Sequence, residues 1–172
     1  MTEHELRTCL DAAEKSPDMI ARAVAGLDEA ALRWKPAPDK WSILEVLAHL
    51  GDMEIMYGYR IRQVIADKEP VFAPIDQEDW ARHLHYDEAS AAESVALYRA
   101  NRVANLRLLK RVTPGQLDRG GFHPELKRQV TLAEWIERIA SHGTSHLGQI
   151  ERLKQGYGEQ AGGRSGRRAE SA

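Results

Sequence analysis

Residues 131–155, TLAEWIERIASHGTSHLGQIERLKQ, carry the clearest helix signal in the chain. Thr131 and Glu134 form a capping-box pattern, in which a hydroxyl and a carboxylate each accept a hydrogen bond from a free backbone N–H of the first turn. The apolar positions that follow recur every three or four residues, as on the buried face of a helix. This stripe contains Trp135, Ile139, His142, His146, Ile150 and Leu153. Two histidines therefore occupy positions that face the core, and we predict that they point inward.

A second helix is marked by Ser42 and Glu45, which form the same capping-box pattern and place its beginning at Trp41–Ser42. Apolar residues at helical spacing continue to about Ala66, and the prolines that follow end the helix. His49 lies within the apolar stripe of this helix. The sequence thus predicts a third inward-facing histidine.

Helical spacing of apolar residues predicts two further long helices. The first spans Glu3 to about Leu27, and Ser16-Pro17-Asp18 within it is compatible with one bent helix or with two short ones. The other spans about Glu88 to Val112. Its predicted inward positions are Ala92, Val95, Ala96, Val103, Leu106 and Leu109, and its predicted solvent face includes Arg99, Arg102 and Arg107.

Long connections separate these helices. Residues 67–87 form a polar, proline-containing connection of about 20 residues, longer than antiparallel neighbours need. Four helices with such connections predict an all-α fold, a four-helix bundle with at least one long crossover connection. We assign residues 1–157 to this domain and predict that residues 158–172, which are rich in Gly, Arg and Ser, are disordered.

The composition limits the classes of partner. The 172 residues carry 24 Lys plus Arg against 26 Asp plus Glu, a net charge of -2, so no overall positive field favours nucleic acid. No apolar stretch reaches the roughly 20 residues of a membrane helix. Cys9 is the single cysteine, and the first residues lack the pattern of a signal peptide. We expect a cytoplasmic protein that acts on a small-molecule substrate, without a nucleic acid or membrane partner.

Three inward histidines on two helices indicate a metal site. His142 and His146 are four residues apart, so they lie one above the other on one helix face and can bind the same ion. His49 is the natural third ligand. Three neutral imidazoles bind a divalent Zn, Ni, Fe or Co ion and leave a coordination position open, as in catalytic sites. The alternative is a packed core in which the histidines satisfy one another without metal.

Two polar residues near the histidines have two interpretations each. Gln149, three residues after His146, either orients a ligand or is a solvated polar residue. Asp52 is either a hydrogen-bond partner of His49 or an ordinary surface carboxylate.

The connections contain further histidines. His83 and His85 lie in the first long connection and His123 in the second. They either line the mouth of a pocket, as a ligand or general base, or are simply exposed, and their role stays open.

Two stretches resemble the DinB/YfiT superfamily, namely residues 40–50, KWSILEVLAHL, and residues 140–150, ASHGTSHLGQI. The resemblance extends over nearly the whole chain to about residue 155. It implies a four-helix bundle in up-down-down-up order, a homodimer, and a divalent metal ion held by His49, His142 and His146.

The resemblance also implies a range of activities. Members of the superfamily include thiol S-transferases that use bacillithiol or mycothiol, a mycothiol-dependent maleylpyruvate isomerase, and the iron-binding domain of sulfoxide synthases. The synthases have Glu where this chain has Gly148, which disfavours them. The leading hypothesis is a metal-dependent transferase that adds a low-molecular-weight thiol, its cosubstrate, to a small electrophilic substrate. The alternatives are a metal-dependent hydrolase that uses metal-bound water and a non-catalytic metal-binding stress-response protein.

Overall fold

Four long helices are present, with shorter elements in the connections between them. The computed structural model describes the backbone of residues 1–169 and the side chains of residues 1–162. The long helices are α1 (Glu3–Val24), α3 (Ile43–Ala66), α5 (Ala91–Leu109) and α6 (Leu132–Ala169). The connections contain α2 (Glu29–Arg33), α4 (Gln77–His83), 3₁₀ helices at Tyr86–Glu88 and Pro114–Gln116, and strands β1 (Gly120–His123) and β2 (Arg128–Thr131).

Both predicted capping boxes stand at the beginning of helices. The Glu45 carboxylate accepts a hydrogen bond from the backbone N–H of Ser42 at 2.8 Å, and the Ser42 hydroxyl accepts one from the N–H of Glu45 at 3.3 Å. Thr131 and Glu134 exchange the same two bonds at 2.8 and 3.2 Å. These pairs satisfy N–H groups that the first turn of a helix leaves without an intrahelical acceptor.

The helix α1 continues through Pro17, so the structure selects one helix over two short ones. A proline inside a helix removes the N–H that would donate to the carbonyl four residues earlier, which here belongs to Ala13. The Ala13 carbonyl instead accepts hydrogen bonds from the Ser16 hydroxyl at 3.0 Å and from Arg102 Nη1 at 2.8 Å. A side chain from α5 thereby replaces the donor that α1 lacks.

Core packing gives the directions of α3 and α6. Ile43 near the beginning of α3 shares a buried cluster with Leu153 of α6. Ile61 near the end of α3 shares the other cluster with Trp135, near the beginning of α6. The two helices are therefore antiparallel.

Side-chain contacts give the direction of α5. Its ion pairs to α1 join Arg99 to Asp18 and Lys110 to Glu14, so these two helices are antiparallel. Along α3, the neighbours of α5 advance in the same direction as α5 itself, with Leu97 beside Gly51 and Asn105 beside Gly58. Since α1 and α6 run one way and α3 and α5 the other, the predicted up-down-down-up four-helix bundle is confirmed.

The connection between α5 and α6 contains an antiparallel hairpin that the sequence did not predict. Its strands pair Gly120 with Thr131 and His123 with Arg128. Each strand has 4 residues, which is too short for a recognisable alternation of apolar and polar positions. The hairpin buries Val130 against the bundle, so it covers the beginning of α6.

The predicted buried face of α5 is wrong in part. Leu106 and Leu109 are buried as expected and Val95 is half-buried, but Ala92 and Ala96 are exposed and Val103 is 64% exposed. Arg102, predicted on the solvent face, is 1% exposed because its guanidinium pairs with the buried carboxylate of Glu54. The polar residues Ser94, Tyr98 and Asn105 complete the buried face. A polar stripe of this kind gives no apolar periodicity to detect.

The last helix runs further than its predicted end at Gln155. Its backbone stays helical to Ala169, through most of the segment 158–172 that was predicted to be disordered, and residues 170–172 lie outside the described part of the chain. Trp34 packs against this extension: a Cβ at Gly156 would lie 2.7 Å from its ring, and its indole N–H donates to Gln160 at 2.8 Å. No helix in the described residues combines the length and hydropathy needed to cross a membrane.

Candidate metal centre

The structure brings together the three histidines that the sequence analysis proposed as ligands. His49 lies on α3, and His142 and His146 lie on α6. The Nε2 atom of His142 is 3.2 Å from that of His49 and 3.2 Å from that of His146. One ring nitrogen from each histidine can be chosen so that all lie within 4.8 Å of one another. The three imidazoles therefore converge on one point.

Packing of α3 against α6 sets this convergence. Leu50 follows His49 on α3 and is fully buried, as are Ile139 and Ile150 on α6, which lie one turn to either side of the histidine pair. The buried stripe consequently turns the histidines of each helix toward the other helix. His49 is 2% exposed, whereas His142 and His146 are half-buried.

Aromatic rings surround the histidines. The Trp41 ring lies 4.9 Å from the His49 ring between centroids. On the α6 side, the Tyr57 ring meets His142 edge-on at 5.2 Å. These rings place apolar surface against the imidazoles of His49 and His142.

Burial keeps the imidazoles neutral. Burial, together with the charge that neighbouring histidines would carry, lowers the pKa of His49 to about 3 and that of His142 to about 2. The pKa of His146 is also lowered by burial, against the opposing effect of its hydrogen bond to the Gln149 oxygen. At neutral pH each ring therefore has one nitrogen with a free lone pair.

Gln149 selects the tautomer of His146. Its side-chain oxygen lies 2.8 Å from His146 Nδ1. An amide oxygen only accepts hydrogen bonds, so Nδ1 carries the proton and the lone pair is on Nε2, which faces the other histidines. Of the two interpretations of Gln149, the structure supports the one in which it orients a histidine.

The geometry fits a divalent ion. Three imidazole nitrogens bound to one ion at 2.0–2.1 Å in tetrahedral directions would stand about 3.3 Å apart. The two Nε2 separations of 3.2 Å agree with that spacing. Within the described residues, no Asp, Glu, Cys or further His joins the group, so one coordination direction is free of protein ligands.

A cavity of about 430 Å³ opens beside the histidines. His142 and His146 form part of its wall, and the cavity is open to solvent. Its other charged and polar wall residues include Tyr57, Arg128, Glu134, Glu137, Arg138 and Ser145. A small molecule in this cavity would reach the histidine pair.

Other candidate residues lie elsewhere. Asp52 accepts a hydrogen bond from the Tyr86 hydroxyl at 2.8 Å. It is therefore neither the predicted partner of His49 nor an unpaired surface carboxylate. His83 and His85 are exposed, and His85 lines a separate cavity beyond Trp41.

His123 differs from both expectations, because it is buried in β1. It is 7% exposed, and its ring stacks on Trp135 with centroids 6.3 Å apart. The hairpin, which the sequence did not predict, carries it into the core.

Two wall residues, Tyr57 and Arg138, were not predicted from the sequence. Tyr57 is a buried residue of α3, and helical spacing of apolar residues gives no sign of a chemical role. Arg138 stands four residues before His142, the same interval that separates His142 from His146. The spacing of four residues, continued from His142 toward the beginning of α6, identifies Arg138 as a residue on the same face.

Comparison with known proteins supports the fold and the family. A family model of the DinB superfamily matches residues 12–150. The chain is similar to "Putative metal-dependent hydrolase YfiT" of Bacillus subtilis, with 24% identity over 145 residues, 84% of this chain and 82% of the relative. A protein of Oceanobacillus iheyensis with the same functional name is 26% identical over 140 residues, 81% of this chain and 80% of the relative.

Solved structures resemble the chain closely. The structure of YfiT from Bacillus subtilis, described as an unusual four-helix bundle, has a TM-score of 0.86 at 22% identity and covers 92% of this chain and 90% of its own. The mycothiol-dependent maleylpyruvate isomerase has a TM-score of 0.65 at 14% identity, over 90% of this chain and 68% of its own. With the family match over most of its length, the chain belongs to the DinB superfamily.

Proposed function

We propose that the protein is a metal-dependent enzyme in which His49, His142 and His146 hold a divalent ion. The observation that carries this proposal is the convergence of three neutral imidazoles at the wall of an open cavity, with no fourth protein ligand among the described residues. A structural metal site is normally closed by four protein ligands, whereas a catalytic site keeps a position for water or substrate. Zn, Ni, Fe and Co all suit imidazole ligands.

When bound, a divalent ion lowers the pKa of a coordinated thiol or water molecule and so supplies a nucleophile at neutral pH. The chain's own residues prepare the site for this role. Burial keeps His49 and His142 unprotonated, and Gln149 holds His146 in the tautomer that presents Nε2. Burial also raises the pKa of Tyr57, whose hydroxyl therefore keeps its proton and can donate a hydrogen bond into the cavity.

We assign the nucleophile to a low-molecular-weight thiol, which attacks a small electrophile. Two observations support this choice. The cavity volume of about 430 Å³ leaves room for a small thiol and its partner beside the histidines, and its wall is mostly polar. The fold is also shared with an isomerase whose name states that it depends on mycothiol.

A second candidate is hydrolysis, because the relatives that match most of the chain are named as metal-dependent hydrolases. The two reactions differ in the nucleophile and can be separated by omitting the thiol. A non-catalytic metal-binding role has less support, since the cavity gives a substrate access to the histidines.

The test compares metal-loaded protein in two assays. In the first, a panel of thiols is supplied with 1-chloro-2,4-dinitrobenzene, so that the thiolate sulfur forms a bond to the ring carbon and chloride leaves. In the second, 4-nitrophenyl esters are supplied without thiol. The proposal predicts metal-dependent turnover in the first assay with at least one thiol, and turnover in the second alone would favour hydrolysis.

The controls are paired histidine variants. His142→Ala removes a proposed ligand and should abolish turnover, whereas His83→Ala changes an exposed histidine on α4 and should not. Equal rates with and without metal in both assays would contradict the proposal.

A further inference from the structure

Arg138 lies one helical turn from the proposed metal centre. It precedes His142 by four residues on α6, which corresponds to a rise of about 6 Å along the helix. It is exposed and lines the same cavity as His142 and His146. The guanidinium of Arg138 therefore stands beside the space that a substrate would occupy.

This guanidinium has no carboxylate partner within the described residues. The neighbouring cavity arginine, Arg128, is paired with Glu134 at 2.7 Å. Arg138 instead lies over the ring of Trp135, with its Cζ atom 5.8 Å from the centroid. Stacking on the indole and a hydrogen bond to the Tyr57 hydroxyl restrain the guanidinium, whose remaining N–H donors are available for an anion.

A second uncompensated cation stands behind Arg138. Arg60 is 5% exposed, and its Cζ atom lies 4.9 Å from the centroid of the same Trp135 ring. Its guanidinium donates a hydrogen bond to the carbonyl of Ala73 at 2.6 Å, and in the part of the chain that is described it forms no ion pair. Burying a cation without an anion is unfavourable, so this region gains from a bound negative charge.

The charged groups near Trp135 include two acids, Glu125 and Glu137, as well as the two arginines. Burial and the charge of Arg138 both lower the pKa of Arg60, and Glu125 opposes this shift. The carboxylate of Glu125 lies 4.0 Å from His123 Nδ1, and that of Glu137 faces the cavity. Neither acid pairs with Arg138 or with Arg60.

We propose that the Arg138 guanidinium, stacked on Trp135 next to buried Arg60, is a carboxylate-binding subsite one helical turn from the three histidines. This inference rests on the proposed function, because the subsite gains its role from the metal centre beside it. It specifies the class of the substrate. The substrate or its thiol therefore carries a carboxylate close enough to the reacting atom for both to lie in the same cavity. A guanidinium fork binds a carboxylate through two parallel hydrogen bonds, which fixes orientation as well as charge.

The first test needs no metal and no activity. Metal-free protein labelled with ¹⁵N is titrated with acetate and, separately, with neutral acetamide at constant ionic strength. The Nε–Hε resonance of Arg138, assigned by its loss in Arg138→Gln, should shift saturably with acetate and not with acetamide. Glu137→Gln should preserve or strengthen the response, and the exposed Arg152 serves as the internal control. A shift that does not saturate, or that matches the shift of Arg152, would overturn the subsite.

The second test asks whether the subsite serves the centre. Cobalt-loaded protein is titrated with 3-mercaptopropionate and with its amide, and binding is followed by the thiolate-to-cobalt absorption band. A hydrogen-bonded charge contact should make the acid bind about tenfold more tightly than the amide, and Arg138→Gln should remove that preference. Equal affinity of both thiols in the wild type would overturn the link to the centre.

The two tests separate failure of the subsite from failure of the proposed function. If neither thiol produces an absorption band although elemental analysis finds cobalt, the proposed thiol chemistry is contradicted. The acetate titration then decides the carboxylate subsite by itself.

Discussion

The guanidinium of Arg102 and the carboxylate of Glu54 form a two-bond ion pair in the centre of the bundle. Nε donates to Oε1 at 2.9 Å and Nη2 to Oε2 at 2.8 Å, and the two side chains are 1% and 0% exposed. The remaining Nη1 donates to the carbonyl of Ala13 that Pro17 leaves without its helical donor, and to the Ser16 hydroxyl at 2.9 Å. One arginine thus joins α1, α3 and α5.

Replacement of Arg102 is expected to be strongly destabilising. Arg102→Met leaves the Glu54 carboxylate buried without a cation, with only the hydrogen bond from Asn105 at 2.9 Å, and breaking a buried pair in this way costs about 3–5 kcal/mol of unfolding free energy. Urea unfolding measures the loss. The double variant Arg102→Met, Glu54→Leu should lose less, because no unpaired charge remains.

The matched control is Arg99→Ala. Arg99 pairs with Asp18 at the surface, where the two side chains are 50% and 62% exposed. An exposed pair contributes less than about 1 kcal/mol. Equal losses for Arg99→Ala and Arg102→Met would contradict the central role of the buried pair.

Two glycines of α6 should respond oppositely to alanine. A Cβ at Gly143 would lie 2.5 Å from the Tyr98 hydroxyl and 2.7 Å from Ser16 Cβ, so Gly143→Ala should destabilise the protein by about 1–3 kcal/mol. A Cβ at Gly148 meets only Arg152 Nη1, at 3.5 Å. Gly148→Ala should therefore stabilise by up to about 1 kcal/mol through helix propensity. Thermal unfolding of both variants checks the signs, and a stabilised Gly143→Ala would show that α1, α5 and α6 do not meet there.

Gln149→Leu should weaken metal binding without abolishing it. The substitution removes the acceptor for His146 Nδ1, so the ring is no longer held in the tautomer that presents Nε2. Loss of such a partner typically reduces metal affinity about 10–100-fold. Competition with a chromophoric chelator measures the affinity. The control is Gln155→Leu, which removes an exposed contact to Glu159 and should leave the affinity unchanged.

The double variant His142→Ala, His146→Ala should lose the metal and keep the fold. The bundle has extensive apolar clusters on both sides of the histidines, so its helices do not depend on the ion. Elemental analysis of protein purified without an affinity tag should give about one ion per wild-type chain and none in the variant. A collapse of the far-ultraviolet circular dichroism of the variant would instead indicate a structural site.

The stability of the metal-free protein should fall as the pH decreases below about 6.5. His49 and His142 have pKa values of about 3 and about 2 in the folded protein, against 6.5 for the ordinary group. Between the folded and the ordinary pKa values, the unfolded chain binds protons that the folded protein excludes. The unfolding free energy is therefore highest above pH 6.5 and decreases as the pH falls. Each histidine contributes a slope of up to about 1.4 kcal/mol per pH unit.

Urea unfolding between pH 7.5 and pH 5 measures this slope before most carboxylates titrate. The variant His49→Leu, His142→Leu should show a shallower dependence, whereas His4→Ala, at an exposed residue, should match the wild type. An identical slope in the double histidine variant and the wild type would contradict burial of neutral imidazoles.

Local sequence determined the helices of the bundle and the histidines of the site. Capping boxes and apolar spacing are properties of neighbouring residues, so Ser42, Thr131 and the stripe of α6 could be interpreted without knowing the fold. The same spacing placed His142 and His146 on one face. The resemblance of two short stretches to a known superfamily then implied the order of the helices.

Tertiary structure decided everything that depends on partners distant in the chain. Arg102 is buried because Glu54 and the Ala13 carbonyl lie within reach on other helices, and no local pattern contains that information. The hairpin that buries His123 and the extension of α6 against Trp34 arise in the same way. Periodicity shows which face of a helix is apolar. The burial of a charge and the convergence of Arg60 and Arg138 on Trp135 depend instead on which helices pack together and on their relative position along the bundle axis.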